Sequence, residues 1–146
     1  MAKEDVYLFV VDDDQRVLNG IKEHADEVSE YFDFKPVFVR GTTDLNNVKR
    51  SIPEGAKYFV VVDMIMESAG SGVEVLTKLK SALSISRTGF CGAVVYTSLT
   101  SLKLDILRKN SNLGDDLEAI IVKEQRDGLY GRNVIDYLKA KFEENY

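Results

Sequence analysis

The sequence contains one cysteine, two prolines and no tryptophan among its 146 residues. Because the single cysteine, Cys91, cannot form an internal disulfide, the chain is not a disulfide-stabilised secreted module. No apolar run approaches the roughly 20 residues that span a bilayer, and the first residues lack the apolar stretch of a secretory leader. We therefore expect a cytoplasmic protein that is not inserted into a membrane.

Positive charge is also scarce, and it is scattered along the chain. The sequence has 24 acidic and 19 basic residues and a formal net charge of −5. Nucleic-acid binding depends on clustered cations that neutralise phosphates, so a nucleic-acid partner is not expected. Hydrophobic residues make up 45% and charged residues 29% of the chain, which is typical of a folded globular protein. The length favours one domain, over residues 1–146.

Five short runs are apolar almost continuously and are rich in Val, Ile, Phe and Tyr. They occupy residues 6–11, 34–39, 58–62, 93–96 and 119–122. Such runs are typical of parallel strands that are covered on both faces. Lys35 and Pro36 interrupt the second run, which predicts that this strand lies at an edge of the sheet.

Segments with apolar residues at helical spacing follow each of these runs. The five apolar sets are Val17, Leu18, Ile21, Ala25 and Val28; Leu45, Val48 and Ile52; Val75, Leu76, Leu79 and Leu83; Leu102, Ile106 and Leu107; and Tyr130, Val134, Ile135, Leu138 and Phe142. Parallel neighbours need crossover connections, so this alternation predicts a doubly wound α/β fold: a five-stranded parallel sheet with helices on both faces.

Polar side chains stand at the ends of four of the predicted strands. Asp12 and Asp13 follow the first strand, Asp63 the third, Thr97 the fourth and Lys123 the fifth. In doubly wound sheets, ligands bind at the carboxyl ends of the strands. Three carboxylates gathered there repel one another unless a cation lies among them, and oxygen ligands beside a phosphate favour Mg²⁺. Because the lysine and the hydroxyl can bind phosphoryl oxygens, the pattern predicts phosphoryl transfer to a carboxylate.

With these five residues the sequence resembles the receiver domains of response regulators in two-component signalling, in particular the stand-alone chemotaxis type, from Val6 to about the last helix. The resemblance implies the (βα)5 flavodoxin-like receiver fold. It implies Asp63 as the phosphoacceptor, Thr97 as the switch hydroxyl and Lys123 as a phosphoryl ligand. It also implies a regulator and not an enzyme, since such a domain catalyses only its own phosphorylation and dephosphorylation.

The resemblance further implies which residues hold the metal. Asp13, Asp63 and the backbone carbonyl of Ile65 would bind Mg²⁺ directly, and Asp12 would act through water. Asp14 then falls outside the site, where we expect it to cap the first helix because an acidic side chain favours the positive end of the helix dipole.

Three apolar residues stand at positions that modulate receivers. Ile65 and Leu99 lie two places beyond Asp63 and Thr97, where they offer no hydrogen bond to an attacking water, so we expect a long-lived phosphoaspartate. Ile120 stands three places before Lys123, where receivers commonly have an aromatic residue that moves with the threonine. The usual aromatic readout is therefore missing or displaced.

The partners follow from the same resemblance. A sensor histidine kinase or a histidine phosphotransfer protein would donate the phosphoryl group. The surface formed by the fourth helix, fifth strand and fifth helix would then change and regulate a protein partner, whose identity the sequence leaves open. With no residues left for an output domain, self-association as a phosphorylation-dependent homodimer and onward transfer in a phosphorelay are the other forms of output.

Two departures from the receiver pattern keep a second function open. Glu67 stands where a proline is frequent after the phosphoacceptor, and Glu124 follows Lys123 where a proline is usual. A pseudo-receiver, which keeps the fold as an interaction module without phosphorylation, is therefore an alternative.

A haloacid-dehalogenase-type phosphatase is a third, weaker hypothesis. Residues 12–14 fit the Asp-x-Asp motif of that class, which also uses a later hydroxyl and a lysine. The class needs a further acidic motif at the end of a strand after the lysine, however, and neither Asp127 nor Asp136 ends an apolar run. The sequence therefore lacks part of the metal site that a phosphatase of this class needs.

Overall fold

The computed structural model of this chain describes residues 4–12, 14–25, 32–39, 47, 48, 50, 52–63, 77–81, 83, 89–97, 117–123 and 130–143. These ranges contain β1 (Glu4–Val11), α1 (Gln15–Ala25), β2 (Phe32–Val39), β3 (Lys57–Val62), β4 (Gly89–Thr97), β5 (Leu117–Val122) and α2 (Arg132–Glu143). Residues 47, 48 and 50 and residues 77–81 and 83 are also helical. In the ranges given, no helix is long and apolar enough to cross a bilayer.

The five strands form one parallel sheet in the order β2-β1-β3-β4-β5. The predicted doubly wound α/β fold is confirmed. β2 lies at one edge, as the interruption by Lys35 and Pro36 predicted. The chain leaves β1 on one side to form β2 and returns on the other side to form β3. The strand order therefore reverses between β1 and β3, which is where doubly wound sheets bind ligands.

Both faces of the sheet are covered, and β1 contributes to both cores. Val6, Leu8 and Val10 pack on one face, and Phe9 and Val11 pack on the other. The outer layers come from the helices and from Ile52, which lies in a bend: the first core takes Val17, Leu18, Ile21, Ala25, Val134, Ile135, Leu138 and Phe142, and the second takes Val48, Ile52, Leu79 and Leu83. This double coverage explains why the central strands are apolar at successive positions.

The edge strand β2 begins earlier than the apolar run predicted, at Phe32 instead of residue 34. Phe32 and Phe34 are buried, whereas Asp33 and Lys35 are exposed. This alternation is typical of a strand end that is buried on one face only, so a search for continuous apolar residues misses it. β4 and β5 also begin before the predicted residues 93 and 119, at Gly89 and Leu117.

The structure describes the predicted helices in part. All the apolar residues predicted to face the core in α1 and α2 are buried where described, with Val28 outside the described residues. Tyr130 precedes α2 in a turn and is half-buried. The second and third predicted helices are represented by the buried residues named above, while Leu45, Val75 and Leu76 lie outside the described residues, as does the whole fourth predicted helix.

Two glycines allow α1 to lie directly against the turn that precedes α2. A Cβ atom on Gly20 would lie 2.1 Å from the carbonyl oxygen of Tyr130. A Cβ atom on Gly131 would lie 2.6 Å from Cγ1 of Ile21, and Gly131 has a φ angle of +91°, a conformation that favours glycine. Any larger residue at either position would push α1 and the start of α2 apart.

Candidate functional site

Backbone hydrogen bonds hold the polar strand ends in line at one edge of the sheet. The amide of Asp63 donates to the carbonyl of Val11 at 2.8 Å, which fixes the end of β3 beside the end of β1 and Asp12. The amide of Lys123 donates to the carbonyl of Thr97 at 2.8 Å, which fixes the end of β5 beside that of β4. The parallel ladder therefore delivers four of the five predicted site residues to one edge.

The Lys123 ammonium bridges two carboxylates that come from different strands. Its Nζ lies 2.9 Å from Oδ2 of Asp12 and 3.1 Å from Oδ2 of Asp63. The three side chains are 11%, 2% and 9% exposed, respectively. Because β4 lies between β5 and β3, the bridge requires a side chain as long as lysine. Asp12 and Asp63 are 51 positions apart in the sequence, and Asp63 and Lys123 are 60 positions apart. The fold thus brings together three residues that are distant along the chain.

Burial and charge act on this group in opposite directions. Burial raises the pKa of Asp12 above its ordinary value, although Lys123 and the amide of Asp14 lower it. Burial alone would lower the pKa of Lys123, but attraction by Asp12 and Asp63 outweighs it, and the pKa is raised. One ammonium faces two carboxylates, so the group carries excess negative charge in a poorly solvated place. A further cation would relieve that excess.

The side chain of Asp14 caps α1 and is not part of the Lys123 bridge. Its Oδ1 accepts a hydrogen bond from the backbone amide of Arg16 at 3.0 Å, which is the helix cap that the sequence predicted. Its Oδ2 lies 2.9 Å from the Arg16 guanidinium, and the hydrogen bond from that side chain lowers the pKa of Asp14. The amide of Asp14 in turn donates to Oδ1 of Asp12 at 2.8 Å, so the start of α1 orients the Asp12 carboxylate.

Thr97 ends β4 and is 1% exposed, and the residue before it makes contacts that the sequence did not predict. Tyr96 is fully buried, its hydroxyl oxygen accepts a hydrogen bond from the Gly131 amide at 2.7 Å, and its ring centroid lies 5.8 Å from Nζ of Lys123. A signal was present, because a buried tyrosine in an otherwise aliphatic run needs a partner for its hydroxyl.

Several predicted positions lie outside the described residues: Asp13, Ile65, Leu99, Glu67 and Glu124. Ile120 is described. It is half-buried in β5 and pairs with Val95, one position away from the pairing of Ile121 with Tyr96. Asp136, one of the two candidates for the late acidic motif of a phosphatase, is exposed on α2. It therefore does not end a strand.

The donor atoms of the site fit a small divalent cation. Carboxylate oxygens of Asp12 and Asp63 converge with excess negative charge, and hard oxygen donors are the ligands that Mg²⁺ prefers. Within the part of the chain that the structure describes, no group of three or more His, Cys, Asp or Glu side chains could hold a metal ion. The third carboxylate in the predicted set belongs to Asp13, outside that part.

No family model matches the sequence, and no curated protein matches it either. Similarity appears among solved structures. The phosphorylated cyanobacterial phytochrome response regulator RcpA has a TM-score of 0.61 at 19% identity, covering 95% of both chains. The Mn²⁺-bound response regulator Rcp1 has a TM-score of 0.59 at 15% identity, covering 91% of this chain and 94% of that one.

The third structure is the RcsB response regulator of Salmonella typhimurium. Its TM-score is 0.53 at 17% identity, covering 94% of this chain and 62% of RcsB. At these identities the likeness concerns the fold. The chain has the fold of response-regulator receiver domains, as the sequence predicted.

Proposed function

We propose that this chain is a phosphoacceptor switch of a two-component or phosphorelay system, in which Asp63 accepts a phosphoryl group. The observation that carries the proposal is the Lys123 bridge between Asp12 and Asp63 at the carboxyl edge of a receiver-type sheet. The bridge contains the Asp63 carboxylate as nucleophile, the Asp12 carboxylate as a second negative charge that attracts a cation, and the Lys123 ammonium as a ligand for phosphoryl oxygens. The fold likeness adds support, since two of the similar structures are a phosphorylated and a Mn²⁺-bound response regulator.

The reaction that we propose is a displacement at phosphorus. A carboxylate oxygen of Asp63 forms the new P–O bond while the P–N bond of a donor phosphohistidine breaks, and the departing imidazole nitrogen retains the bonding electron pair. Lys123 lies 3.1 Å from Oδ2 of Asp63 and binds the phosphoryl oxygens as negative charge develops on them. Thr97, buried at the neighbouring strand end, is the hydroxyl that responds to the new group.

Mg²⁺ is the proposed cofactor, held by Asp13, Asp63 and the carbonyl of Ile65, with Asp12 acting through water. Its chemistry when bound is to neutralise the charge that the carboxylates and the phosphoryl oxygens share. In the described residues, both oxygens of Asp12 already have protein partners, the Asp14 amide and Lys123. This agrees with an indirect role for Asp12 toward the metal.

For the biological setting, we propose residues 1–146 as one receiver domain acting in the cytoplasm. A sensor histidine kinase or a histidine phosphotransfer protein is the proposed donor. The output surface would include β5 and α2, since α2 packs on the same core as the strand ends of the site. A protein target, self-association and onward phosphotransfer are the three forms of output that this surface can serve.

The proposal is tested by labelling the purified chain with acetyl phosphate and MgCl₂ and measuring its intact mass. We expect one added phosphoryl group in the wild type, none in Asp63→Asn, and none with EDTA. Asp33→Asn is the matched control, because Asp33 is an exposed aspartate near the start of β2, whereas the bridge lies at the carboxyl ends of the strands. Labelling that persists in Asp63→Asn would show that another residue is the acceptor.

A beryllofluoride titration with MgCl₂ separates the phosphorylated switch from a pseudo-receiver. Beryllofluoride mimics a phosphoryl group on an aspartate, so a phosphoacceptor binds it and a receiver-like module without the chemistry does not. We expect saturable binding that Asp63→Asn removes and Asp33→Asn retains. Absence of both labelling and beryllofluoride binding in the wild type would favour the pseudo-receiver.

A further inference from the structure

The side chain of Tyr96 lies between the candidate site and the start of the last helix. Its ring centroid is 5.8 Å from the Lys123 ammonium, within the range of a cation–π contact. Its hydroxyl accepts the Gly131 amide at 2.7 Å in a fully buried place. The same residue therefore touches the cation that bridges Asp12 and Asp63 and the backbone from which α2 starts.

Gly131 controls how α2 begins. Its carbonyl accepts the amide of Ile135 at 2.9 Å, which is the first bond of the helical ladder. Its own amide goes to Tyr96, and its φ angle of +91° together with the crowding by Ile21 fixes the backbone in one conformation. A displacement of the Tyr96 hydroxyl therefore shifts the first turn of α2, because the Gly131 amide has to follow or lose its partner.

The other end of α2 is attached separately. Lys141 donates to the carbonyl of Cys91 at 2.7 Å and also bonds the Glu118 carboxylate, and its Nζ lies 5.1 Å from the Phe59 ring centroid. These contacts join the C-terminal turn of α2 to β3, β4 and β5. The helix is thus held by Lys141 at one end and by Tyr96 at the end nearer the site.

We propose that Tyr96 is a positioning residue that couples the Lys123 bridge to the N-terminus of α2 through its ring and its hydroxyl. This rests on the proposed function in one respect, namely that a phosphoryl group forms on Asp63. Such a group carries up to about two negative charges, attracts the Lys123 ammonium and so changes its position over the Tyr96 ring. Since close-packed side chains do not deform continuously, the ring and the Gly131 amide move together with it.

The test uses backbone amide chemical shifts of the full-length chain labelled with ¹⁵N, in MgCl₂ and saturating beryllofluoride. Tyr96→Phe keeps the ring and removes the hydroxyl that holds Gly131. Tyr137→Phe is the matched control, because it makes the same chemical change on a half-buried tyrosine of α2 itself. Saturation keeps any change in beryllofluoride affinity out of the comparison.

We expect beryllofluoride to shift the amides of Gly131 and the first turn of α2 in the wild type and in Tyr137→Phe. In Tyr96→Phe we expect at least half of that shift to be lost. One buried hydrogen bond corresponds to about a fivefold change in a two-state equilibrium, which is enough for such a loss. Full retention of the α2 shifts in Tyr96→Phe would overturn the proposal.

A second arm needs no phosphoryl chemistry and keeps this inference separate from the proposed function. Lys123→Met, studied in EDTA, removes the ammonium that lies over the Tyr96 ring. The chemical shifts of the same amides are measured with and without this substitution in two backgrounds, the first with Tyr96 and the second with Tyr96→Phe. We expect Lys123→Met to shift the Gly131 amide in the first background and to shift it by less than half as much in the second. Equal shifts in both would refute the coupling, even if the wild type binds beryllofluoride. If the wild type fails to bind beryllofluoride, the proposed function fails and this arm alone decides on Tyr96.

Discussion

Replacing Lys123 by methionine tests the charge balance on which the candidate site depends. The substitution keeps an unbranched side chain of similar length but leaves the carboxylates of Asp12 and Asp63 facing each other, 2% and 9% exposed. Removing one partner of a buried ion pair costs about 3–5 kcal/mol. Because burial already raises the pKa of Asp12 and favours its neutral form, we expect a loss near the lower end, about 3 kcal/mol in the free energy of unfolding.

The matched control for Lys123→Met is Lys35→Met, at an exposed ion pair of the same sheet. Lys35 lies 3.5 Å from Asp5, and the two side chains are 44% and 48% exposed. Exposed pairs contribute about 0–1 kcal/mol. Urea unfolding in EDTA, followed by circular dichroism, measures both variants, with an unchanged dependence on urea as the sign that the denatured state is comparable.

Magnesium provides the second half of this experiment. A ligand of the folded state at a hundred times its dissociation constant stabilises by about 2.7 kcal/mol. We expect MgCl₂ to increase the free energy of unfolding of Lys123→Met more than that of the wild type, because the variant has lost the ammonium that otherwise neutralises the carboxylates. A loss of stability in Lys123→Met that is no larger than the loss in Lys35→Met, both measured in EDTA, would refute the role of Lys123 in neutralising the two carboxylates.

Three further predictions concern the neighbouring residues. Burial raises the pKa of Asp12 above its ordinary value, so ionising this carboxyl opposes folding. In EDTA, the free energy of unfolding of Asp12→Asn should therefore rise relative to that of the wild type as pH rises from about 3 to about 7, and a difference independent of pH would contradict this. Gly131→Ala, whose Cβ would lie 2.6 Å from Ile21, should lose about 2–5 kcal/mol, whereas Gly55→Ala, at φ +79° with nothing within 4 Å, should lose about 1–2 kcal/mol; similar losses in urea unfolding would contradict the crowding argument. Ile65→Asn should shorten the lifetime of the phosphoaspartate after removal of acetyl phosphate, and an unchanged rate of label loss would argue against apolar shielding.

The fold could be predicted from the sequence because each local pattern indicated one type of secondary structure. A run such as residues 6–11, with helices packed on both sides, is apolar throughout, and that continuity indicates a buried parallel strand. Pro36 lacks an amide hydrogen, which restricts it to an edge, and β2 is an edge strand. The strand starts were less predictable, since Asp33 and Lys35 are exposed at an edge where only one face needs apolar residues.

The positions of Asp12, Asp63, Thr97 and Lys123 at strand ends were likewise readable in the sequence, because a parallel sheet sends all its carboxyl ends to one side. The distances between these side chains could not be predicted from the sequence. The contacts of 2.9 Å and 3.1 Å that Lys123 makes depend on the strand order and on the register between β5, β4 and β3. Register is set by pairs of residues that are distant along the chain, which no local pattern encodes.

The sequence by itself thus determined the alternation of strands and helices, the edge position of β2 and the chemical types gathered at the strand ends. Only the tertiary structure decided that a single ammonium bridges two carboxylates, and that Tyr96 connects it to the Gly131 amide. The physical reason is range: hydrophobic periodicity reports burial within one element, whereas hydrogen bonds and ion pairs depend on distances of a few ångströms between elements that only packing brings together.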